Sequence, residues 1–201
     1  MSCLKESRLS NAKETSLSWP AGWAYVVALI LTWTAVWAGA SAGGRANWQS
    51  FSLTDGLAGA RVAAIFQDRD GHLWVGTDGG GVSRFDGQEF VKFTTEDGLA
   101  SNFVQTILQD RDGHLWVGTD GGGVSRFDGQ EWFTYTTESG LVSNHVLAIL
   151  QDNEGAMWFG SGDMSLQNAV GASRLKDGEW RTYGVDNGLS SAWVGALFED
   201  R

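Results

Sequence analysis

Cysteine, proline and histidine are nearly missing from this 201-residue sequence, which has one Cys, one Pro and three His. Cys3 stands in the N-terminal tail, so no disulfide forms within the chain and a folded part must rest on its core alone. One thiol and three imidazoles leave little material for a zinc site or for a Ser/His or Cys/His nucleophile pair. Basic charge is scarce too. Fourteen Lys+Arg face 24 Asp+Glu for a net charge of −10, and because the first 18 residues carry +1 the remainder carries −11. Such a surface has no basic face to offer nucleic acid or an anionic membrane, so neither is an expected partner of the folded part. What is abundant is glycine, at 28 residues, together with eleven Trp and ten Phe. That mixture suits short aromatic strands joined by tight turns.

Only one long stretch lacks charge. Ala21 to Ala42 is mostly apolar, with Val26, Val27, Leu29, Ile30 and Leu31 at its centre. A helix rises about 1.5 Å per residue, so about 20 residues cross a hydrocarbon core of about 30 Å. Trp19, Trp23 and Tyr25 gather at one end and Trp33 and Trp37 lie towards the other, where amphipathic rings meet the two interfaces. Lys5, Arg8 and Lys13 precede the stretch and favour a cytoplasmic tail, with Arg45 close behind on the far side. Ala38-Gly39-Ala40 and Ala40-Ser41-Ala42 also fit a small-x-small cleavage site, so a signal anchor and a cleaved signal peptide are both open. Either one exports everything from Ala46 onward. The resulting division is a tail at 1–18, an anchor or signal peptide at 19–42, a linker at 43–46 and a repeat region at 47–201.

Self-similarity organises that last region. Gln67 to Glu89 reads QDRDGHLWVGTDGGGVSRFDGQE, and Gln109 to Glu131 repeats it letter for letter. A diverged third copy starts at Gln151, with Trp158 standing where Trp74 and Trp116 stand. The links Asp55-Gly56-Leu57, Asp97-Gly98-Leu99, Ser139-Gly140-Leu141 and Asn187-Gly188-Leu189 recur in phase, about 42 residues apart and then about 48, so the third unit holds an insertion. Each unit parses into four strands. In the first they are Arg61–Phe66, small and apolar as a doubly buried strand is, then His72–Thr77, Gly81–Phe85 and the half-polar Glu89–Thr94. Asp68-Arg69-Asp70-Gly71, Asp78-Gly79-Gly80 and Asp86-Gly87 turn the chain between them. Four short strands in a unit of this length make a propeller blade. A parallel β-helix has shorter coils, and isolated hairpins could not bury so many Trp side chains. The expected fold is therefore all-β, a partial propeller of three complete four-stranded antiparallel blades. Two orphan strands flank them: Asn47–Phe51 in the frame of an outer strand and Ala192–Phe198 in the frame of an inner one. The frame reads as that of a fragment, with unpaired edges that predict poor solubility or self-association.

The pattern G-L-x-S-N-x-V, D-x-x-G-x-L-W-x-G-T and G-G-V-x-R-F-D-G, found here at Gly98–Val104, Asp110–Thr119 and Gly122–Gly129, resembles the two-component regulator propeller repeat. The likeness covers residues 47 to 201, and the third copy departs from it at Glu154, Ala156, Met157 and the insertion. It implies the periplasmic ligand-sensing region of a membrane sensor, followed in a full-length protein by a histidine kinase or diguanylate cyclase output. It also implies a carbohydrate or other small-molecule ligand in some members. No output motif is present, so this chain is expected not to be an enzyme itself. Membrane attachment would run through the N-terminal helix, and homodimerisation through the full-length protein. A secreted propeller lyase or hydrolase, or a protein-interaction platform, is the alternative.

Little else in the chain signals chemistry. The pairs Asp68/Asp70, Asp110/Asp112 and Asp152/Glu154 lack the distant Glu of a calcium loop and read as carboxylates bonding their own turn amides. Gly79–Gly81 and Gly121–Gly123 lack the Lys and helix of a phosphate loop. His72 and His114 fall at equivalent places in different units and His145 elsewhere, so no metal site and no cofactor are expected. Trp74, Trp116 and Trp158 are expected in the core between blades, and Trp48, Trp132 and Trp180 on outer strands. The turn after each second strand and the link into each next inner strand should share one rim. Asp78, Asp120, Asn102 and Asn144 are the candidate ligand-binding residues there, joined by Asp163 and Asn168 in the inserted loop Ser161–Asn168. Their acidic and amide groups suit a polyhydroxylated ligand.

Overall fold

The structure, a computed structural model, describes residues 49–162 and 171–200. The N-terminal tail, the apolar stretch, the linker, Trp48, Asp163 and Asn168 lie outside the described residues. Among those described, no helix is long and apolar enough to cross a membrane.

Twelve strands form three antiparallel sheets, each a simple four-strand meander. The first sheet contains β1 (Val62–Gln67), β2 (Leu73–Thr77), β3 (Gly81–Phe85) and β4 (Phe90–Phe93). The second contains β5 (Val104–Gln109), β6 (Leu115–Thr119), β7 (Val124–Phe127) and β8 (Trp132–Tyr135). The third contains β9 (Val146–Gln151), β10 (Met157–Ser161), β11 (Ala172–Lys176) and β12 (Glu179–Tyr183). The second strand starts one residue later than its apolar run suggests, because the His72 amide donates to Asp68 Oδ1 at 2.9 Å and stays in the turn.

The links between sheets explain the recurring Gly-Leu. Thr95–Asp97 is a single 3-10 turn in which the Thr94 amide donates to Asp97 Oδ2 at 2.8 Å, and Gly98 ends it at φ 104. A left-handed residue there sends the chain inward, and Leu99 follows as a buried plug, like Leu57 and Leu141. The serine of each third strand, V-S-R-F in the first two blades and A-S-R-L in the third, then accepts the next amide: Ala58 to Ser83, Ala100 to Ser125 and Val142 to Ser173, each at 2.8 Å.

Inner strands pack on the preceding sheet at a glycine. A Cβ on Gly118 would lie 2.6 Å from Thr106 Cγ2 and 3.0 Å from Val146 Cγ1, so only a bare Cα admits the next blade. Gly76 admits Val104 in the same way. Side chains add inter-blade hydrogen bonds. The Arg69 amide donates to Gln109 Oε1 at 3.0 Å and the Arg111 amide to Gln151 Oε1 at 2.8 Å. The Arg69 guanidinium donates to the carbonyls of Asp110 and Arg111.

Two expectations need correcting. The first inner strand is not doubly buried: Val62 and Ile65 are each 43% exposed, while the equivalent Val104 and Val146 are 0% exposed. Those valines are covered by the blade before them, and the described residues place no blade before β1. Nor are the flanking segments strands: Gln49–Phe51 and Ala192–Phe198 are irregular. Phe51 instead packs its ring on Phe85 and Phe90, with centroids 5.0 and 5.4 Å away. A strand requires a hydrogen-bonded neighbour, and within the described residues neither segment has a sheet of its own.

Candidate functional site

One end of the blades gathers the turns after β2 and β6, and Gly162 after β10, with the residues that lead into the inner strands. Asp78 forms an isolated bridge with Phe103, and the Gly79 and Gly81 amides both donate to the Asn102 carbonyl, at 3.0 and 2.9 Å. One blade on, the Asp120 amide donates to the Phe103 carbonyl at 2.8 Å and the Gly123 amide to the Asn144 carbonyl at 2.8 Å. The link Asn102-Phe103 is thus clamped to two turns, its own blade's through Phe103 and the previous one's through both residues, and a continuous rim results.

Asp78 and Asp120 stand on this rim with partners already beside them. Arg61 pairs with Asp78 at 2.5 Å, and the His145 ring nitrogen Nδ1 pairs with Asp120 across the junction of the second and third blades. Asn102 and Asn144 are on the rim as well, but their side-chain oxygens accept the Thr95 and Thr137 amides at 3.0 and 2.9 Å. Those bonds fix the link before each inner strand, which gives both asparagines a structural task.

The residue just ahead of each inner strand escaped the sequence reading. It is Arg61, Phe103 and His145 in the three blades and Trp193 in the last segment, so a large side chain of different chemistry occupies the same place every time. Phe103 lies over the Gly79 turn and is 50% exposed, and Trp193 lies over Gly162 and is 46% exposed. Comparing the units position by position is the signal that would have found them, since the scaffold around them hardly changes. The row offers exposed ring faces alternating with an arginine–aspartate pair and a histidine–aspartate pair.

At the turn joining the first two strands, the structure gathers other polar groups for a different purpose. Asp68 Oδ1 accepts the Asp70 and His72 amides, and Oδ2 accepts Trp74 Nε1 at 2.7 Å. Asp110 holds Trp116 and Asp152 holds Trp158 by the same 2.7 Å bond. Burial pushes the Asp68 and Asp152 carboxyls up, but the indole and amide donors outweigh it and hold both below the ordinary 3.8. Donor atoms of Asp68, Asp70 and His72, and of Asp110, Asp112 and His114, come within 4.8 Å of one another. The N–H groups aimed at Asp68 and Asp110 make these clusters turn anchors.

Trp74 and Trp116 are buried, each stacked on an aromatic ring of its own outer strand, Phe93 and Tyr135, and touching Phe127 or Phe159 of the next blade. Arg84, Arg126 and Arg174 cover the tryptophans of their own blades at 5.6–6.0 Å. Trp158 is only half-buried. The third blade also has a charged groove of about 370 Å³ beside Glu154, Arg174, Lys176 and Arg181, where Glu154 binds Lys176 at 2.8 Å. Lys176 holds Glu154 below the usual carboxylate range.

The family model for the two-component regulator propeller matches residues 56–79, 98–121 and 140–163, which in each blade run from the link glycine to the turn after the second strand. Among solved structures, the chain is similar to the extracellular domain assigned to the hybrid two component system BT3049 of B. thetaiotaomicron. Identity is 25% and the TM-score 0.66, over 79% of this chain and 22% of that one. The extracellular domain of BT4673 from the same organism shares the fold at 22% identity and a TM-score of 0.56, over 70% of this chain and 21% of that one. The chain therefore spans about a fifth of the length of these structures. No curated protein matches the sequence.

Proposed function

The repeats of this chain belong to the two-component regulator propeller family, and from that premise we propose that they form part of the extracytoplasmic sensor region of a membrane-bound signal transduction protein. The observation that carries the reading is the agreement of three in-phase family repeats with a 25% identical extracellular domain. Residues 19–42 supply the membrane anchor or export signal, and the output module belongs to the longer protein. The rim is the sensing surface. Phe103 and Trp193 present ring faces, and Asp78 and Asp120 present hydroxyl acceptors. A polyhydroxylated small molecule or carbohydrate satisfies both, through its C–H faces and its O–H groups.

Two measurements test this. Alkaline phosphatase fused after Asp200 should be active in a Gram-negative host and β-galactosidase at the same point inactive; the reverse pattern removes the sensor reading. The full chain in detergent is then screened by thermal shift against mono- and oligosaccharides. A ligand at a hundred times its Kd stabilises by about 2.7 kcal/mol. Phe103→Ala or Trp193→Ala should abolish that gain, and a gain that survives both changes places the ligand elsewhere. A secreted lyase or hydrolase is favoured by one observation, the His145–Asp120 pair, and requires turnover that His145→Ala eliminates.

A further inference from the structure

The third blade departs from the first two at the hairpin of its third and fourth strands, where two changes bring positive charge to one spot. Lys176 stands where the earlier blades have Asp86 and Asp128, and Arg181 where they have Val91 and Phe133. Arg174 is common to all three, as Arg84 and Arg126. In a chain of net charge −10, these three cations line one groove of about 370 Å³ together with Glu154, Asp177 and Glu179. It lies at the end of the blade away from the rim and shares no residue with it.

Pairing within the blade accounts for two of the cations. Arg174 Nη2 and Lys176 Nζ both donate to Glu154 Oε2, at 3.2 and 2.8 Å. Arg174 also reaches Asp152, with Nε 3.8 Å from Oδ2, and covers the Trp158 ring. Arg181 is different. It stands directly opposite Arg174 in the β11–β12 ladder, where like charges repel, and its guanidinium has no ion pair or hydrogen bond among the described residues. That arrangement costs stability, and no contact in the blade offsets it.

The positions that line the groove stay open even beside a neighbouring blade. Asp70, Asp86 and Val91 in the first blade, and Asp112, Asp128 and Phe133 in the second, correspond to Glu154, Lys176 and Arg181. All six are exposed although a further blade packs on each of those sheets.

We propose that this groove binds a small monocarboxylate, with the Arg181 guanidinium as its primary contact and Lys176 and Arg174 as flanking cations. The planar guanidinium fork matches a carboxylate with two parallel hydrogen bonds, and a bound anion between Arg174 and Arg181 relieves their repulsion. Asp177 and Glu179 on the same hairpin disfavour a second negative charge, so a singly charged ligand is taken in preference to a polyanion. It is a second binding site on the propeller, separate from the rim in its residues and in the charge of what it takes.

The probe is sodium acetate, titrated against sodium chloride at constant ionic strength into the full chain in neutral detergent. The readout is the Arg181 Nε–H resonance, assigned by its disappearance in Arg181→Val. A saturable shift is expected there and not at Arg84 or Arg126. Lys176→Asp, which restores the residue of the first blade, should raise the half-saturating concentration at least about tenfold. Sulfate should bind more weakly than acetate. Arg181→Val should raise the melting temperature in chloride, because it removes the like-charge pair and restores the valine of the first blade. Absence of saturation, an equal shift at Arg84, tighter sulfate binding, or a lower melting temperature in Arg181→Val overturns the proposal.

Discussion

Replacing the leading valine of each inner strand by alanine perturbs one chemical group at three equivalent places that differ only in what covers them. Val104 and Val146 are 0% exposed and press on Gly76 and Gly118 of the previous blade, while Val62 is 43% exposed. Two methyl groups leave in each case. At about 0.8 kcal/mol per buried carbon the transfer loss at the two buried sites is about 1.6 kcal/mol, and an unfilled cavity raises the total to about 2–3 kcal/mol. At Val62 no cavity forms and part of the side chain is already in water, so the loss stays below about 1 kcal/mol. Differences in strand propensity are common to all three and cancel. Urea unfolding followed by tryptophan fluorescence reads the result as a midpoint shift at constant slope. Equal losses at Val62 and Val104 would refute the reasoning, because the first inner strand would then be as covered as the second.

Asp110→Ala should cost about 1–3 kcal/mol, read by the same unfolding assay, because it leaves the buried Trp116 indole N–H without its acceptor. Gly140→Ala should be destabilising by about 1–3 kcal/mol, since φ is 121° and the new Cβ would lie 2.5 Å from Trp180 Cγ; a thermal melt within experimental error of wild type would contradict this. Acid should weaken the fold through Asp68 and Asp152. Their folded pKa values lie below the ordinary 3.8, so their contribution is complete above that value and lost as pH falls through the lower folded one. Melting temperatures from pH 7 downward should show that loss, and the Asp68→Asn/Asp152→Asn double variant should flatten it. Phe103→Ala and Trp193→Ala, at exposed rim positions, should leave the melting temperature nearly unchanged even where they abolish ligand binding.

Most of the architecture could be read locally. The third strand lies at Gly81–Phe85 as its apolar pattern and flanking turns indicate, and the fourth, expected at Glu89–Thr94, occupies Phe90–Phe93. Asp-Gly turns, alternation and the 42-residue phase are properties of a single unit, and a unit carries them wherever it stands. The rim was legible as a meeting of loops, but its chemistry was not. Nothing in Asn102 or Asn144 says that a backbone amide seven residues upstream will claim the side-chain oxygen, and nothing in Phe103 or Trp193 says that the ring will lie on a neighbouring turn.

By itself, then, the sequence determined the strands, their turns and the number of complete sheets, because pattern and turn chemistry act over a few residues. Tertiary structure alone decided which faces are buried. Val62 and Val104 open equivalent strands and share their repeat position, yet one is exposed and the other sealed. The same holds for Phe198 against Phe66, which differ, among the described residues, in having a paired strand beside them. Burial and strand pairing belong to a residue's neighbours across the blade junction, and a repeat cannot encode whether its neighbour is there.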